Sequence, residues 1–481
     1  MSRRVPTLSR LLLEERPADP LVAWRTGERG VDREVRWEEF RHQVASLQLE
    51  LARLPRGQVA LYTADSYALA VGLFAIWHAG RVALCPPNGQ PGTLEALSDL
   101  VIAGVSDGPG AVPGRPLLSP EARPGPAPLR TAWSPLAPDA VAVELFTSGT
   151  TGRGKAIAKT LAHLEREVQS LEANLGPRVE GAPAIGSASH QHLYGMLFRV
   201  LWPLATGRPF HARIFLHAEE ILTRVRAHGS CALASVPAHL KRLAEREGFL
   251  PLARHCRVVF SSGGPLAADT AERWERAAGE APIEIFGSTE TGGVAWRQQG
   301  RGRENAAWAP FPSIRVGRDA QDGRLRVHSP FASLGDEGAG FAMGDRVRLL
   351  PDGRFVTLGR ADRVLKIGEK RLSLPDMEER LLEHPWIEAV ALLPLERRGE
   401  TRVAAVVVLG EPGREALRAQ GRRALRVALA DSLAREWDRV LLPRAWRFVD
   451  ALPEDAQGKV TLRSLQGLFA AREGAAEGES P

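Results

Sequence analysis

Cysteine is scarce, with only Cys85, Cys231 and Cys256 in 481 residues. Three thiols so far apart form neither a disulfide framework nor a CxxC metal site, so a reducing compartment is expected. Long apolar runs are missing as well. The opening stretch MSRRVPTLSRLLLEERPADP carries only a three-leucine run before Glu14, which leaves no apolar segment of a signal peptide. The most apolar window, Ala68 to Trp77, is about half the length that crosses a bilayer. A cytoplasmic protein without a membrane span is the expectation. Charge of one sign is also lacking: 63 basic residues against 57 acidic ones leave +6, with no concentrated basic field of the kind that binds nucleic acid. The sharpest shortage is lysine. Only Lys155, Lys159, Lys241, Lys366, Lys370 and Lys459 occur, and arginine supplies the other 57 basic residues. Where most basic positions accept arginine, the few lysines mark places to look for a compact, flexible ammonium.

What is present describes an ordinary globular chain, 44% apolar, 25% charged and 6% aromatic, long enough for two or three domains. The first hundred residues alternate helical and strand patterns. Trp37 to Leu47 has helical spacing, Gln58-Val-Ala-Leu-Tyr-Thr reads as a buried strand, and Tyr67 to His78 as an apolar helix ending at Gly80. This alternation predicts α/β layers with a largely parallel sheet. The Pro- and Gly-rich stretch from Gly108 to Pro138 reads as a surface connection. Three strand-like runs then end in small-residue loops: Ala140 to Phe146, Cys256 to Phe260 and Ile283 to Phe286. In open α/β sheets ligands bind at such endings, so one shared pocket is expected. Past about residue 310 come short strands with Asp-Gly turns at Asp322 and Asp352. Past Arg360 the pattern is α+β: a helix around Asp376–Leu382, a strand Val403–Leu409, a helix around Arg422–Trp437, then a final strand. The tail 471–481, rich in small and charged residues, reads as disordered.

Thr147-Ser-Gly-Thr-Thr-Gly-Arg-Gly-Lys155 follows a strand and packs glycines, hydroxyls and one lysine. Glycines let backbone N–H groups approach a phosphate, the hydroxyls add donors, and the lysine adds a mobile charge. The run Gly149-x-x-x-x-Gly154-Lys155 also satisfies most of a Walker A pattern. Position 156, however, is Ala where a magnesium-binding hydroxyl should stand, and Ala156 to Thr160 reads as a strand rather than a helix start.

Thr147–Lys155 resembles the phosphate-binding signature of the adenylate-forming superfamily, the acyl- and aryl-CoA synthetases and their relatives. The resemblance continues in order along nearly the whole chain. Ser262-Gly-Gly-Pro-Leu resembles the loop lining the adenine pocket, and Phe286-Gly-Ser-Thr-Glu290 the aromatic-Gly-x-Thr-Glu motif. Gly323-Arg-Leu-Arg-Val-His-Ser-Pro, Gly344-Asp345, Gly359-Arg-Ala-Asp-Arg-Val-Leu-Lys366 and Pro453-Glu-Asp-Ala-Gln-Gly-Lys459-Val follow.

The resemblance implies an α/β fold with a large N-terminal ATP- and acid-binding domain of layered sheets over 1–359. A small mobile α+β domain over 360–470 follows the hinge at Asp362. It also implies attack of a carboxylate on the α-phosphorus of MgATP, giving an acyl-adenylate and pyrophosphate, then capture by CoA or by a carrier protein's phosphopantetheine. Positioning and charge neutralisation carry such a reaction. By the same resemblance, Thr147, Ser148, Gly149, Thr150, Thr151 and Lys155 hold the β- and γ-phosphates. Gly263, Gly264, Phe286 and Gly287 line the adenine site, Thr289 touches the α-phosphate, and Glu290 holds Mg2+ through oxygen. Asp345 accepts from the ribose hydroxyls, Arg360 reaches ribose and phosphate, and Lys459 bridges the attacking carboxylate and the adenylate oxygens. His192, three residues before Gly195, closes the acyl pocket, with His190 as a rival for that place.

The sequence departs from the family at Gly154 for proline and Ala156 for glycine. It departs again at Glu369, where the family carries glycine three residues after Lys366 and this chain has Gly368 one step early. That stretch lines the pantetheine tunnel in the family. The roughly 90 residues between His192 and Phe286 are compact for the family, which points to a small or flat acid. Two other readings stay open at this level: a P-loop NTPase, and a non-catalytic nucleotide-binding relative.

Overall fold

The computed structural model describes residues 7–14, 16, 18–27, 31–86, 88–108, 112–121, 133–146, 156–300, 302–303, 306–332, 340–360, 363–367, 370–397, 400–434, 436–454 and 460–470. The chain divides into two compact units, 1–316 with 327–341 and 351–354, and 317–326 with 342–350 and 355–481.

The first unit is built on two sheets. One has nine strands in the order Ala309–Pro310, Gly292–Gln298, Ile283–Ser288, Cys256–Ser261, Cys231–Ser235, Ala184–Gly186, Phe210–His211, Leu21–Thr26 and Asp32–Arg36. Its six inner strands, from Ile283–Ser288 to Leu21–Thr26, run parallel, and antiparallel strands close both edges. The other has six strands, Leu117–Leu118, Val101–Val105, Gln58–Leu61, Ala83–Cys85, Val141–Phe146 and Ala156–Thr160, parallel except for the last. The expected α/β layering with a largely parallel sheet is what the chain adopts.

Helix Ser66–His78 shows why its sequence is apolar all round: every residue from Ser66 to Trp77 is buried, so no face needs to be polar. It starts where the Asp65 carboxylate accepts from the Tyr67 and Ala68 amides at 2.7 and 2.9 Å, satisfying two donors that the first turn leaves open. Helix Ala268–Ala278 is the opposite case. It buries one stripe, Thr270, Ala271, Trp274 and Ala277, at helical spacing. Trp274 packs there with Leu240 and Phe249 and donates its indole N–H to the Leu240 carbonyl at 3.1 Å. All three cysteines are free and buried.

A four-stranded sheet of Arg315–Arg318, Arg324–His328, Phe341–Leu349 and Phe355–Arg360, in that order, uses the two expected Asp-Gly turns. The second unit carries a ribbon of Val364–Ile367 with Lys370–Ser373 and a three-stranded sheet of Ile387–Arg397, Glu400–Leu409 and Ala445–Val449. Its central strand is buried on both faces. Val403, Ala405 and Val407 pack with Leu425, Leu429 and Leu433, while Ala404 and Val406 pack with Leu465 and Phe469. An unbroken apolar run is the signature of that environment.

The helix expected at Arg422–Trp437 is longer on its N-terminal side, Glu411–Leu433, and is broken at Gly421, whose φ of 77° lies in the left-handed region. The added piece, Glu411 to Gln420, buries only Gly413 and Ala416, so it has no apolar stripe for periodicity to detect. The tail 471–481 lies outside the described residues.

Candidate active site

Two adjacent parallel strands, Cys256–Ser261 and Ile283–Ser288, pair Phe260 with Ile283 and Ser261 with Glu284. Their carboxyl ends therefore release two loops side by side, Ser262–Gly264 and the turn beyond Phe286. The Ser262 hydroxyl donates to the Ile285 carbonyl at 2.9 Å and ties the first loop to the second strand. Phe286 lies half-buried against Trp308, ring centroids 5.2 Å apart. Gly287 is required by crowding: a Cβ there would stand 2.2 Å from the Gly292 carbonyl oxygen on the returning strand.

A buried network anchors this corner. The Glu284 carboxylate accepts two N–H groups of Arg297 at 2.9 and 3.0 Å, the Gln299 amide at 2.6 Å and the Leu266 backbone N–H at 3.1 Å. Arg297 in turn lies over the Trp308 ring at 4.3 Å. The loop at 262–266 and the Phe286–Trp308 pair are thus held by one carboxylate, which the strand pattern hides in an otherwise apolar run.

The turn Ser288–Gly293 carries Thr289 and Glu290, both half-buried. Its backbone is held from three sides. Lys159 donates to the Glu290 carbonyl at 2.8 Å, Ser329 to the Thr291 carbonyl at 2.7 Å, and the Glu167 carboxylate accepts the Gly293 amide at 2.6 Å. The Thr291 hydroxyl closes the turn on Ser288, accepting its amide at 3.2 Å. Burial pushes the Lys159 ammonium down to about 8, with Glu167 and Glu290 pulling the other way, and burial pushes the Glu167 carboxyl up. Lys159, Glu167, Glu284, Arg297 and Trp308 were not singled out as site residues by motif. The signal for Lys159 was there in the rarity of lysine.

Lys159 belongs to strand Ala156–Thr160, antiparallel to Val141–Phe146, with Ala156 opposite Phe146. The glycine- and threonine-rich segment joins these strands, so a strand rather than a helix follows Lys155. The residues Thr147, Ser148, Gly149, Thr150, Thr151 and Lys155 themselves lie outside the described residues, as do Asp362, Glu369 and Lys459.

His192 precedes helix Leu193–Met196 and is half-buried. Gly195 is fixed by contact, since a Cβ there would lie 2.0 Å from the Ser189 carbonyl oxygen. His190 is fully enclosed, 1% exposed. Its Nε2 meets the Thr63 carbonyl at 2.8 Å, so Nε2 carries the proton and Nδ1 accepts from the Ser66 hydroxyl at 3.0 Å. Burial, reinforced by Arg199, pushes this imidazole down to about 3 and keeps it neutral. Asp345 stands on strand Phe341–Leu349 opposite Arg360 on Phe355–Arg360, in the second unit.

A His/Asp cluster elsewhere, Asp32, His211 and His228, has its ligating atoms within 4.8 Å of one another. The Arg224 guanidinium stands 2.8 Å from the Asp32 carboxylate, and Trp24 stacks on both imidazoles at 4.9 and 4.1 Å. Arginine supplies the compensating positive charge there. Among the described residues, no helix is long and apolar enough to cross a membrane.

Residues 15–327 match the AMP-binding enzyme family, and residues 376–459 match the C-terminal domain of AMP-binding enzymes. A 4-coumarate–CoA ligase of Rhodobacter capsulatus is 30% identical over 315 residues, spanning 65% of this chain and 73% of that protein. A probable CoA ligase of Humulus lupulus is 24% identical over 383 residues, 69% of this chain and 62% of that one. ATP-bound MatB from Rhodopseudomonas palustris superposes with a TM-score of 0.78 over 96% of this chain and 98% of its own, at 21% identity. The chain belongs to the AMP-binding enzyme family, the adenylate-forming class that includes acyl-CoA synthetase-like acid–thiol ligases. The P-loop NTPase alternative is not supported.

Proposed function

We propose that the protein couples ATP to a small or aromatic carboxylic acid, forms the acyl-adenylate with release of pyrophosphate, and passes the acyl group to a thiol. An acid oxygen attacks the α-phosphorus, the bond from that phosphorus to the bridging oxygen breaks, and pyrophosphate leaves. In the second step the thiol sulfur attacks the acyl carbon and AMP leaves. CoA is the acceptor that the relatives' names favour, and a carrier protein's phosphopantetheine arm has the same thiol chemistry. The observation that carries the reading is the clamped turn presenting Thr289 and Glu290 beside the Ser262–Gly264 loop, at the carboxyl ends of two parallel strands.

The roles follow. Phe286, Gly263, Gly264 and Gly287 frame the adenine, with Trp308 behind Phe286. Thr147, Ser148, Gly149, Thr150, Thr151 and Lys155 hold the outer phosphates, and Thr289 the inner one. The oxygen donors of the turn suit a hard cation, so Glu290 would hold Mg2+, which supplies charge neutralisation along the triphosphate. Asp345 and Arg360 take the ribose, His192 borders the acid, Lys459 reaches the reacting oxygens, and Asp362 is the hinge of a small domain that alternates between the two half-reactions. The buried unpaired cysteines fit work in the cytoplasm.

Carboxylate-dependent exchange of pyrophosphate into ATP tests the first step, run with 4-coumarate, benzoate, malonate and butyrate, with and without CoA. At least one acid should support exchange. Glu290→Gln and Lys459→Ala should each lower it about a hundredfold or more, with Lys459→Ala still binding ATP. Normal exchange in either variant removes that residue's role, and phosphate release without pyrophosphate would sink the reaction itself.

A further inference from the structure

A lysine with no exposed surface needs a reason to be there, because its ammonium gives up water on folding. Lys159 directs two of its three N–H groups at backbone oxygens rather than at a carboxylate: the Glu290 carbonyl at 2.8 Å and the Phe331 carbonyl at 2.5 Å. The first of these belongs to the residue given the metal. The second lies two residues beyond Ser329, whose hydroxyl holds the next carbonyl of the same turn. Glu167, on helix Leu161–Val179 just after the lysine's strand, holds the amide of Gly293. Consecutive elements of the chain, Ala156–Thr160 and Leu161–Val179, therefore grip the turn at its middle and at its last residue. The lysine's strand is also the exit from the glycine- and threonine-rich segment.

We propose that Lys159 is a positioning residue for acid activation: its ammonium fixes the Glu290 backbone, and thereby the direction of the Glu290 carboxylate, relative to the strand that leaves the triphosphate loop. This rests on the reading of Glu290 as the nucleotide's metal-holding carboxylate. The geometry explains why lysine is kept where arginine is otherwise the rule. A compact ammonium on a flexible stem fits between two carbonyls, whereas a planar fork with five donors would leave several unpaired in an enclosed space. The titratable groups facing the ammonium are Glu167 on the helix, Glu290 on the turn and His163 at the helix start, an imidazole that burial keeps neutral.

The test uses the full-length protein and needs no knowledge of the acid. Affinities for MgATP and for AMP are measured by calorimetry at pH 7.5 on the wild type, Lys159→Met and Glu290→Gln, and amide hydrogen exchange is followed over 288–293. Lys159→Met should weaken MgATP at least tenfold, leave AMP within twofold, and speed exchange in the turn. If MgATP affinity stays within twofold and the turn stays protected, Lys159 has no positioning role. Glu290→Gln separates the two claims. If it weakens MgATP while Lys159→Met does not, the lysine proposal alone falls; if neither variant matters, the metal reading falls and takes the proposal with it. Should Lys159→Met fail to fold, Lys159→Arg decides on the same readouts: a planar fork that does not fit between the two carbonyls should weaken MgATP at least tenfold with AMP held within twofold, and MgATP affinity within twofold of the wild type would overturn the idea.

Discussion

Arg297 and Lys159 are both buried cations within the first unit, and they solve the cost of burial differently. Arg297 meets a full carboxylate in two-pronged geometry and lies over an indole, so its charge is cancelled where it sits. Lys159 meets two neutral carbonyls, and the nearby carboxylates act on it without displacing those bonds. A cancelled pair holds the architecture still. An ammonium aimed at backbone oxygens fixes the direction of one turn, and its charge acts through space on Glu167 and Glu290. The contrast separates a residue that supports the site from one that shapes it.

That contrast yields measurable consequences. Arg297→Met strands Glu284 in the interior and should cost about 3–5 kcal/mol in denaturant unfolding; a double variant that also carries Glu284→Met should recover only part of it, because the Gln299 amide and the Leu266 N–H lose their acceptor. Lys159→Met should cost less stability than Arg297→Met while costing more MgATP affinity, and the reverse order would erase the distinction. Alkaline pH, followed by denaturant unfolding, bears on the stability half of the comparison. The Lys159 pKa is pushed down by burial to about 8 in the fold, from an ordinary value of 10.5. Between those values the unfolded chain therefore holds the extra proton, and this residue's share of stability rises with pH. The smallest change is expected at the exposed pair of Arg33 with Glu39, also two-pronged at 2.8 Å. Arg33→Ala should shift stability by less than about 1 kcal/mol, because water already screens that pair.

Much of the fold could be read locally. The all-apolar helix at Ser66–His78, the strand rather than helix after Lys155, and the doubly buried strand Glu400–Leu409 all announce themselves in short stretches of residue types. The Phe286–Glu290 turn and the Ser262–Gly264 loop were legible as motifs, and the structure sets them on neighbouring strands. What stayed hidden was long-range. Lys159 meets partners 131 and 172 residues away, and Glu284 gathers groups from both sides of its own strand, contacts that no window of sequence contains. The helical piece before Gly421 was missed for the opposite reason, since it buries too little to leave a stripe.

The scarcity of lysine then takes on a steric meaning. In a chain where 57 of 63 basic residues are arginine, the buried Lys159 stands where the commoner cation does not fit. Lys159, wedged between two peptide oxygens, is a place where that replacement would be rejected by shape rather than by charge. A saturation screen of this one codon should find arginine among the poorly tolerated residues, despite its being the commonest cation everywhere else in the protein.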